Sequence, residues 1–475
     1  MRALALAALA ILGLAGCERT STLYCEKHPG VCDSTVDAPV STPCTDESCA
    51  ANNDGRPYCF DMTTCGACRT NADCADPTAI CDLTTHACRG CTLNSECATE
   101  VCLDSGSCAA AADVAYVGGP SATGTACTLA MPCPTVEDAL GVTPPVRYIR
   151  LVGAVHEQAT VTIDGTRVVD ILGGGAAIDF ANGGVGFDLK DQATVVMHDV
   201  EISHTNGNVG SGDDCIYLES GTPHLSVLRS TLHACDGDGI DANAGTVVVT
   251  GSTVRDCRYG IEQLGMATLT VARSTFTNNR QYAISVNVGG SPAPLTTIDA
   301  SVFAFNATAT DANNYAALAL VGRIEMTNTI VARNGSLATT VGGIALTATD
   351  PSRFEFVTIA DNITATANGK GMTCGGIVAS TIANSIITGN VPSSSTFCPL
   401  TYTLTDATVA GTGNKIGAPM FDASATAATD AHFYHLLPGS AAIDAADPAA
   451  TIARDIDGDA RPVGMADMGA DEYHP

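Results

Sequence analysis

Two short acidic stretches hold the side chains of this 475-residue chain that could carry out chemistry. The first, "SGDDCIYLESG", places Asp213 and Asp214 beside Cys215. The second, "CDGDGIDA", begins at Cys235 and contains further aspartates. Paired carboxylates can serve as acid and base on a glycosidic bond, bind a calcium ion, or cap turns in solvent. Which of these applies depends on how the surrounding elements place the two stretches.

The surrounding elements form an internal repeat with a period of about 22 to 28 residues. Its recurring segments are "STLHAC", "STVRDC", "STFTNN", "SVFAFN", "TIVARN", "TIADN" and "SIITGN". Short β-branched runs such as "GTVVVTGS" lie between them, with no helical pattern. Strands this short cannot build a doubly wound sheet, but they can coil into a solenoid whose turns stack ~4.8 Å apart. The repeat therefore predicts an all-β solenoid.

This pattern resembles the right-handed parallel β-helix of the pectin-lyase-like type, and the resemblance covers residues 113–475. An antiparallel sandwich is the alternative, but it gives no reason for one polar residue to recur at the same phase. The resemblance implies an inward ladder of stacked amides at one turn, because each amide can both donate and accept. Its members would be Asn279, Asn306, Asn334, Asn362 and Asn390.

Both ends of the predicted β-helix carry cap signatures. Residues 113–145 resemble the glycine-rich start of bacterial β-helix proteins, where a short helix covers the open apolar end. Residues 432–475 resemble the C-terminal segment of bacterial repeat proteins that carry a choice-of-anchor region.

The C-terminal cap contains "DIDGDARP", in which aspartates alternate as at the start of a calcium loop. Ala466 stands where an EF-hand loop would need its bidentate glutamate. A structural cap, in which Arg461 pairs with Asp467 or Asp471, is the other interpretation.

The opening stretch, together with "STLHACDGDGI", resembles part of the polygalacturonase family, which has D-D-C followed by a cysteine shortly before G-H-G. On that resemblance Asp213 and Asp214 fall on the catalytic carboxylate pair. Cys215 and Cys235 fall on the two cysteines, which implies a disulfide between them. Asp238 replaces the histidine, and neither N-T-D nor R-I-K is present, so the hydrolytic machinery of the family is incomplete.

The repeat also predicts that Asp214, Asp238 and Tyr259 stack one coil apart. Two carboxylates at ~5 Å repel, so they should bind a cation, share a proton or splay into water. Calcium held by Asp214, Asp236 and Asp238 is one hypothesis. Lyase-type or hydrolytic catalysis by Asp213, Asp214, Asp238 and Arg258 is another, since pectate lyases of this fold use calcium and an arginine that abstracts a proton. A solvated acidic turn is the third.

The cysteines of the second half are expected to form disulfides. The pair that the resemblance implies, Cys215–Cys235, leaves Cys257 as a free buried thiol. The rival pairing is Cys235–Cys257, because equivalent positions on adjacent coils lie within disulfide range. The remaining predicted pairs are Cys127–Cys133 and Cys374–Cys398.

The N-terminus, "MRALALAALAILGLAGC", predicts export, because a short apolar run ends in small residues. Residues 1–16 are interpreted as a signal peptide. "LAGC" resembles the lipobox of bacterial lipoproteins, which implies that Cys17 is lipidated. Glu18 after the cysteine favours the outer membrane over the inner one.

Between the lipid anchor and the β-helix, residues 17–58 read as a flexible linker and residues 59–108 as a disulfide module. The module repeats C-x2-C-x5-C. Its C-x2-C pairs also match a zinc pattern, but the export signal favours disulfides.

Composition narrows the possible partners. A formal net charge of −28 repels nucleic acid. The chain has no Trp, which leaves Tyr217, Tyr259 and Tyr282 as the row on which a sugar could stack.

The leading interpretation is a monomeric, lipid-anchored outer-membrane protein, on the periplasmic or cell-surface side, whose β-helix binds a polysaccharide or another envelope component. The alternative is a polysaccharide lyase or glycoside hydrolase that acts on an acidic polysaccharide at the face from Asp213 to Arg258.

Overall fold

The computed structural model describes residues 44–475 except 54, 76–78, 120–121, 182, 206–211, 291, 309–315, 365–369, 377–379, 391–392 and 397. The predicted signal peptide, Cys17 and residues 17–43 of the predicted linker lie outside the described residues. The chain divides into two compact units, Met1–Ala109 and Ala110–Pro475.

The first unit is held together by disulfides. It contains a short helix, Asp46–Ala51, and two antiparallel hairpins, Tyr58–Phe60 with Thr64–Gly66 and Ile80–Asp82 with Ala87–Arg89. Single 3-10 turns cover Asn71–Asp73 and Asn94–Glu96. Residues 44–58, which the sequence assigns to the linker, thus already contain a helix.

The cysteines of this unit are all engaged in disulfides within the part of the chain that the structure describes. The C-x2-C pairs do not bind zinc, since each of their four cysteines is bonded to a different partner. The bonds are Cys44–Cys59, Cys49–Cys65, Cys68–Cys81, Cys74–Cys88, Cys91–Cys102 and Cys97–Cys108.

The second unit is a parallel β-helix with three faces, named A, B and C in the order in which each coil passes through them. Face A consists of Val114–Val117, Tyr148–Leu151, Val168–Leu172, Thr194–His198, His224–Leu228, Thr246–Thr250, Thr268–Ala272, Leu295–Asp299, Thr381–Ala383 and Leu400–Thr401. Face B consists of Val155–Glu157, Ala177–Phe180, Glu201–His204, Thr231–Cys235, Thr253–Arg255, Thr275–Thr277, Val302–Ala304, Ile386–Thr388, Leu404–Thr405 and Lys415–Ile416.

Face C consists of Val161–Ile163, Phe187–Asp191, Ile216–Gly221, Ile240–Ala242, Ile261–Gly265, Ile284–Val288, Ile344–Ala348, Lys370–Gly375 and Ser393–Thr396. Two long strands bend around corners: Leu318–Ala332 contributes to all three faces and Arg353–Ala360 to faces A and B. A small outer pair joins Gly335–Ser336 to Ile363–Thr364.

The interior is filled by aliphatic and aromatic side chains that repeat at the same phase. On face C, for example, Ile216 pairs with Ile240, Ile240 with Ile261 and Ile261 with Ile284, and all four are fully buried. Full burial of one such side chain stabilises the fold by about 1.5–3 kcal/mol. The interior rows therefore fix the register of successive coils.

The amide ladder that the sequence predicts lies at the corner between faces B and C. Asn279 donates from Nδ2 to Oδ1 of Asn306 at 2.9 Å, and the same bond recurs from Asn306 to Asn334, Asn334 to Asn362 and Asn362 to Asn390. Each of these Oδ1 atoms also accepts the main-chain N–H of the preceding ladder residue. The ladder thus satisfies main-chain donors that are buried at a turn.

A second ladder, of hydroxyl groups, occupies the corner between faces A and B. The main-chain N–H of Ser230 donates to Oγ of Ser252, that of Ser252 to Ser274, and that of Ser274 to Ser301, at 3.1–3.2 Å. All four serines are buried. Two of the three corners in these coils are therefore held by side chains that replace missing main-chain partners.

The N-terminal end of the β-helix is covered by a short helix, Val136–Leu140. Thr135 caps it by accepting a hydrogen bond from the N–H of Asp138, and Val136, Ala139 and Leu140 pack against the interior. A 3-10 turn at Ala111–Asp113 precedes the first strand. The helix closes the apolar end that the first coil would otherwise expose.

The C-terminal cap uses its acidic side chains mainly to bind main-chain N–H groups. Oδ1 of Asp455 accepts from the N–H groups of Asp457 and Asp459, so the "DIDGD" turn holds itself without a cation. Arg461 lies 3.4 Å from the Glu472 carboxylate and stacks 4.1 Å from the ring of Phe356. The charge partner of Arg461 is thus Glu472, and not Asp467 or Asp471 as the sequence suggests.

Removal of one ladder amide tests how much the ladder stabilises the coil. Asn334→Ala leaves the main-chain N–H of Asn306 without its acceptor and removes one of the acceptors of its Nδ2. We expect a loss of about 2–4 kcal/mol in the free energy of unfolding, measured by chemical denaturation. Asn287→Ala, at an exposed position of face C, is the control and should stay within about 0.5 kcal/mol of the wild type. Equal effects of the two substitutions would contradict a stabilising ladder.

Candidate functional site

The residues of the two acidic stretches meet where the turn between faces B and C enters face C. Asp214, Asp238 and Tyr259 each lie two residues before the inward isoleucine of their coil, and those isoleucines pair in parallel register. The three residues therefore form one row across three consecutive coils, as the repeat predicts.

Asp238 and Arg258 form a buried ion pair in the middle of this site. Nε and Nη2 of Arg258 donate to Oδ1 and Oδ2 of Asp238, each at 2.8 Å, and the N–H of Tyr259 donates to Oδ1 at 3.2 Å. The Asp238 side chain is fully buried. Burial alone would lower the pKa of Arg258, but the hydrogen bonds to Asp238 and the negative charge of Asp238 together outweigh burial and raise that pKa. Arg258 is thus held as a cation.

Asp214 lies beside this pair with no cation of its own. Its Oδ1 accepts the main-chain N–H of Asp238 at 2.7 Å, and the side chain is almost completely buried. Burial, together with the negative charge of Asp238, raises the pKa of Asp214 to about 7. Near neutral pH this carboxyl group therefore exchanges between its protonated and ionised forms.

Two further acidic side chains, Asp241 and Glu262, belong to the same cluster, and the sequence analysis did not select them. They occupy paired outward positions on adjacent strands of face C. Burial, with the charges of Asp214, Asp238 and Glu262, raises the pKa of Asp241 to about 7. The pKa of Glu262 is raised for the same reason, first by burial and then by Asp238. Oδ1 of Asp241 is buried and has no hydrogen-bond partner among the described residues.

We call these five residues the carboxylate–arginine cluster: Asp214, Asp238, Asp241, Arg258 and Glu262. It contains four carboxyl groups and one fixed cation, so the excess of negative charge keeps some of the carboxyl groups protonated near neutral pH. A signal for the two missed residues was present in the sequence, because "GIDA" and "GIEQ" each place an acid directly after the inward isoleucine.

The carboxylate of Asp213 and the main chain of Asp236 have partners outside the cluster's ion pair. Oδ1 of Asp213 accepts the main-chain N–H of Gly184 at 3.0 Å, in the preceding coil. Asp236 contributes its main-chain carbonyl to Arg280. Since both oxygens of Asp238 are held by Arg258, a calcium ion bound by Asp214, Asp236 and Asp238 would have to compete with a guanidinium group.

The tyrosines divide between two rows. The rings of Tyr259 and Tyr282 meet edge to face at 4.8 Å, and the Arg258 guanidinium lies 4.3 Å from the centre of the Tyr259 ring. Tyr217 instead pairs with Asp241 in the outward row of face C, where its hydroxyl accepts from Asn243. Aromatic surface thus flanks the cluster on two sides.

The histidines near the opening stretch have structural partners. Nδ1 of the fully buried His204 lies 2.9 Å from the main-chain carbonyl of Asp213. Nε2 of His233 lies 2.7 Å from the Glu201 carboxylate. Both imidazole rings therefore contact partners that do not belong to the carboxylate–arginine cluster.

Three disulfides of the second unit are those that the sequence analysis expected. Cys215 is bonded to Cys235, and the other bonds are Cys127–Cys133 and Cys374–Cys398. Cys257 is a buried free thiol, and burial raises its pKa to about 12. The rival bond Cys235–Cys257 is not formed. The disulfide instead fixes the residue directly after Asp214.

The chemistry open to this arrangement follows from its charges. The lyase hypothesis stated above needs Arg258 to accept a proton, whereas Asp238 holds Arg258 in its protonated form. Carboxyl groups with a pKa near the working pH, by contrast, suit proton donation and acceptance. The cluster is thus better matched to hydrogen bonding or acid–base chemistry with hydroxyl groups than to β-elimination.

A comparison with protein-family models agrees with the fold. The profile of the family described as "Right handed beta helix region" matches residues 153–299. Among solved structures, the crystal structure of pectate lyase Pel9A is similar, with a TM-score of 0.49 and 14% sequence identity. The similarity covers 76% of this chain and 96% of that one. No curated protein matches the chain. The prediction of an all-β, right-handed parallel β-helix preceded by a disulfide-rich region is confirmed.

The raised pKa of Asp214 predicts a pH-dependent effect of its replacement. The folded protein holds the Asp214 proton up to about pH 7, whereas the unfolded chain releases it near pH 4, so this residue's contribution to stability falls as the pH rises between those values. Asp214→Asn keeps an acceptor for the Asp238 N–H and cannot ionise. We expect the variant to gain on the order of 2 kcal/mol over the wild type at pH 8, and little at pH 4.

Thermal and chemical unfolding at both pH values measure this difference. Asp213→Asn, next in sequence but bonded to the preceding coil, is the matched control for the loss of one negative charge. A stability difference between Asp214→Asn and the wild type that is the same at pH 4 and pH 8 would show that Asp214 does not carry the shifted pKa.

Replacement of Arg258 tests the buried ion pair. Arg258→Met leaves Asp238 buried without its cation, so we expect a loss of about 3–5 kcal/mol in the free energy of unfolding. The double substitution Asp238→Asn with Arg258→Met removes both charges and should recover most of that loss. Arg255→Met, which breaks the exposed pair with Asp256, should cost under about 1 kcal/mol. No recovery in the double variant would argue against charge as the cause.

Proposed function

We propose that this chain is a lipid-anchored protein of the bacterial outer membrane whose β-helix binds an uncharged glycan chain at the carboxylate–arginine cluster on face C. Export is supported by the apolar N-terminal run that ends in Leu14-Ala15-Gly16-Cys17. It is also supported by nine disulfides among the described residues, since such bonds persist in oxidising compartments. None of the described helices is long and apolar enough to cross a membrane.

The observation that carries the proposed binding site is the pair of carboxyl groups with a pKa of about 7, Asp214 and Asp241, in one cluster with a fixed guanidinium. A protonated carboxyl group can donate one hydrogen bond and accept others, which matches the donor and acceptor character of a sugar hydroxyl. Tyr217 lies directly beside Asp241 on face C and offers an amphipathic ring to the same ligand.

An uncharged ligand is favoured over an acidic one by the charge of the protein. The chain carries a formal net charge of −28, and the cluster itself holds four carboxyl groups for one fixed cation. A uronate polymer would meet repulsion from both. The acidic polysaccharide considered in the sequence analysis is therefore less well matched than a neutral one, unless calcium neutralises the site.

Hydrolysis of the bound glycan is the second candidate function, and the same two carboxyl groups favour it. A glycosidase needs one protonated acid and one ionised carboxylate on opposite sides of the bond. Asp214 and Asp241 both titrate near neutral pH and interact electrostatically, so protonation of one favours ionisation of the other.

Binding is tested with a panel of neutral and acidic polysaccharides, measured by isothermal titration calorimetry with and without calcium. We expect a neutral glycan to bind and Asp241→Asn to weaken its affinity at least tenfold. Glu325→Gln, an exposed carboxyl group on face A, should leave the affinity unchanged. Release of new reducing ends from the bound glycan, absent in Asp241→Asn, would establish hydrolysis as well.

Three outcomes would contradict the proposal. They are no binding to any neutral glycan, binding that Asp241→Asn leaves intact, and binding that Glu325→Gln weakens equally. Binding of uronate polymers only in calcium, lost in Asp214→Asn, would replace it with the calcium-dependent alternative.

A further inference from the structure

A second cluster of polar side chains lies in the C-terminal cap and is not used by the proposed glycan site. It lines an open depression of about 470 Å³. Three histidines and five acidic residues line this space: His432, His435, His474, Asp422, Asp457, Asp459, Asp471 and Glu472. A set of imidazole and carboxylate groups around one cavity is the donor set that first-row transition metals prefer.

Two consecutive turns place His432 and His435 side by side. The N–H of Phe433 donates to the carbonyl of Asp430, and that of His435 donates to the carbonyl of His432. Phe433 and Tyr434, between the two histidines, are buried in the cap interior. Both rings are thereby left on the outer side of the turn, and the spacing of three residues brings their Nδ1 atoms to 3.4 Å.

Two of the distances between donor atoms match those around a tetrahedral ion. Nδ1 of His435 lies 3.4 Å from Nδ1 of His432 and 3.5 Å from Oδ1 of Asp471. An ion with bonds of about 2.0–2.1 Å to tetrahedral ligands separates those ligands by about 3.3–3.4 Å. Both distances lie close to this value.

Asp457 orients the His435 ring for metal binding. Its Oδ2 lies 3.1 Å from Nε2 of His435, on the opposite side of the ring from Asp471. A hydrogen bond from Nε2–H to this carboxylate fixes the tautomer in which Nδ1 carries the free lone pair. Such a carboxylate partner behind a metal-bound histidine is the usual way in which proteins orient the ligand.

The surroundings of the Asp471 carboxylate also favour the binding of a cation. Its side chain is only 7% exposed, and its Oδ2 accepts the main-chain N–H of Leu436 at 2.7 Å. The nearby Arg461 instead forms an ion pair with Glu472 and donates to the carbonyls of Asp467, Gly469 and Ala470. Oδ1 of Asp471 thus faces His435 rather than a guanidinium.

The neighbouring acidic residues of the cap differ from this group. Both oxygens of Asp455 accept main-chain N–H groups, from Asp457, Asp459 and Glu472. Oδ1 and Oδ2 of Asp467 accept those of Asp444 and Tyr473. The main chain satisfies these carboxylates, which leaves the group around His435 as the candidate ligands.

We propose that His432, His435 and Asp471 bind a divalent transition-metal ion such as Zn²⁺, with Asp457 orienting His435 and a fourth coordination position open to the depression. The ion joins the turn at residues 430–436 to the C-terminal segment that contains Asp471. It therefore fastens the last segment of the chain to the cap.

The test uses the full-length chain, freed of metal by a chelator and then titrated with Zn²⁺ by calorimetry. We expect one Zn²⁺ per chain and a rise in the unfolding temperature. Co²⁺ should give the visible absorption of a tetrahedral site. His432→Ala should weaken Zn²⁺ affinity at least 100-fold, and since this side chain is exposed, the variant should fold without metal as the wild type does.

Two further variants separate metal binding from packing. Asp457→Asn should weaken affinity about 10–100-fold, as expected for a residue that acts through the ligand. His156→Ala, an exposed histidine on face B, is the matched control and should leave affinity and stoichiometry unchanged.

Two results would overturn the proposal. One is the absence of Zn²⁺ binding to the wild type at millimolar metal, and the other is unchanged affinity in His432→Ala. Neither result bears on the glycan site, because the proposed metal ligands are not part of the carboxylate–arginine cluster.

Discussion

The structure of the second unit depends on one constraint, the parallel register between successive coils. Because strand side chains alternate between inside and outside, a shift of one residue would turn every interior side chain outward. The interior row that runs through Ile216, Ile240 and Ile261 makes such a shift costly. The amide and hydroxyl ladders at the corners hold the same register, since each ladder side chain accepts a main-chain N–H from the preceding coil. Residues of equal phase must therefore form rows along the solenoid, whatever their chemical character.

The same constraint creates the electrostatics of the candidate site. Asp214 and Asp238 occupy one row, and Asp241 and Glu262 occupy the outward row beside it, so four carboxyl groups cannot move apart without disturbing the interior. Only one of them receives a guanidinium, from Arg258. Burial raises the pKa values of all four, which costs stability at neutral pH. Features that cost stability and are held in place by a rigid scaffold are common at functional sites, and this motivates the proposal of a ligand there.

The sequence predicts the fold better than it predicts the site. The repeat period predicted a solenoid, and the resemblance to the pectin-lyase-like type added the parallel β-helix and the amide ladder, because all of these features follow the spacing of the repeat. The serine ladder carried an equally clear signal in the first letter of each repeat, and the sequence analysis did not use it. Asp241 and Glu262 were missed because an outward acid on a strand usually faces solvent, and only the tertiary structure shows that these two are partly buried. Asp213 was selected beside Asp214, yet the turn directs its carboxylate to Gly184, an orientation that residue type does not encode.

The chemistry open to a cluster of acidic residues depends on the partners of its carboxylates rather than on their number. In the C-terminal cap, Asp455 and Asp467 accept main-chain N–H groups with both oxygens, so hydrogen bonds from the main chain stabilise their charge. The charge of Asp238 is stabilised in another way, by a bidentate ion pair with Arg258. Chemistry is left to those carboxyl groups that neither the main chain nor a cation satisfies in full. By that criterion Asp455, which opens the calcium-loop-like "DIDGD" of the sequence, is among the least available, while Asp241 keeps an oxygen that no described residue satisfies. A count of acidic residues, or a net charge of −28, cannot make that distinction.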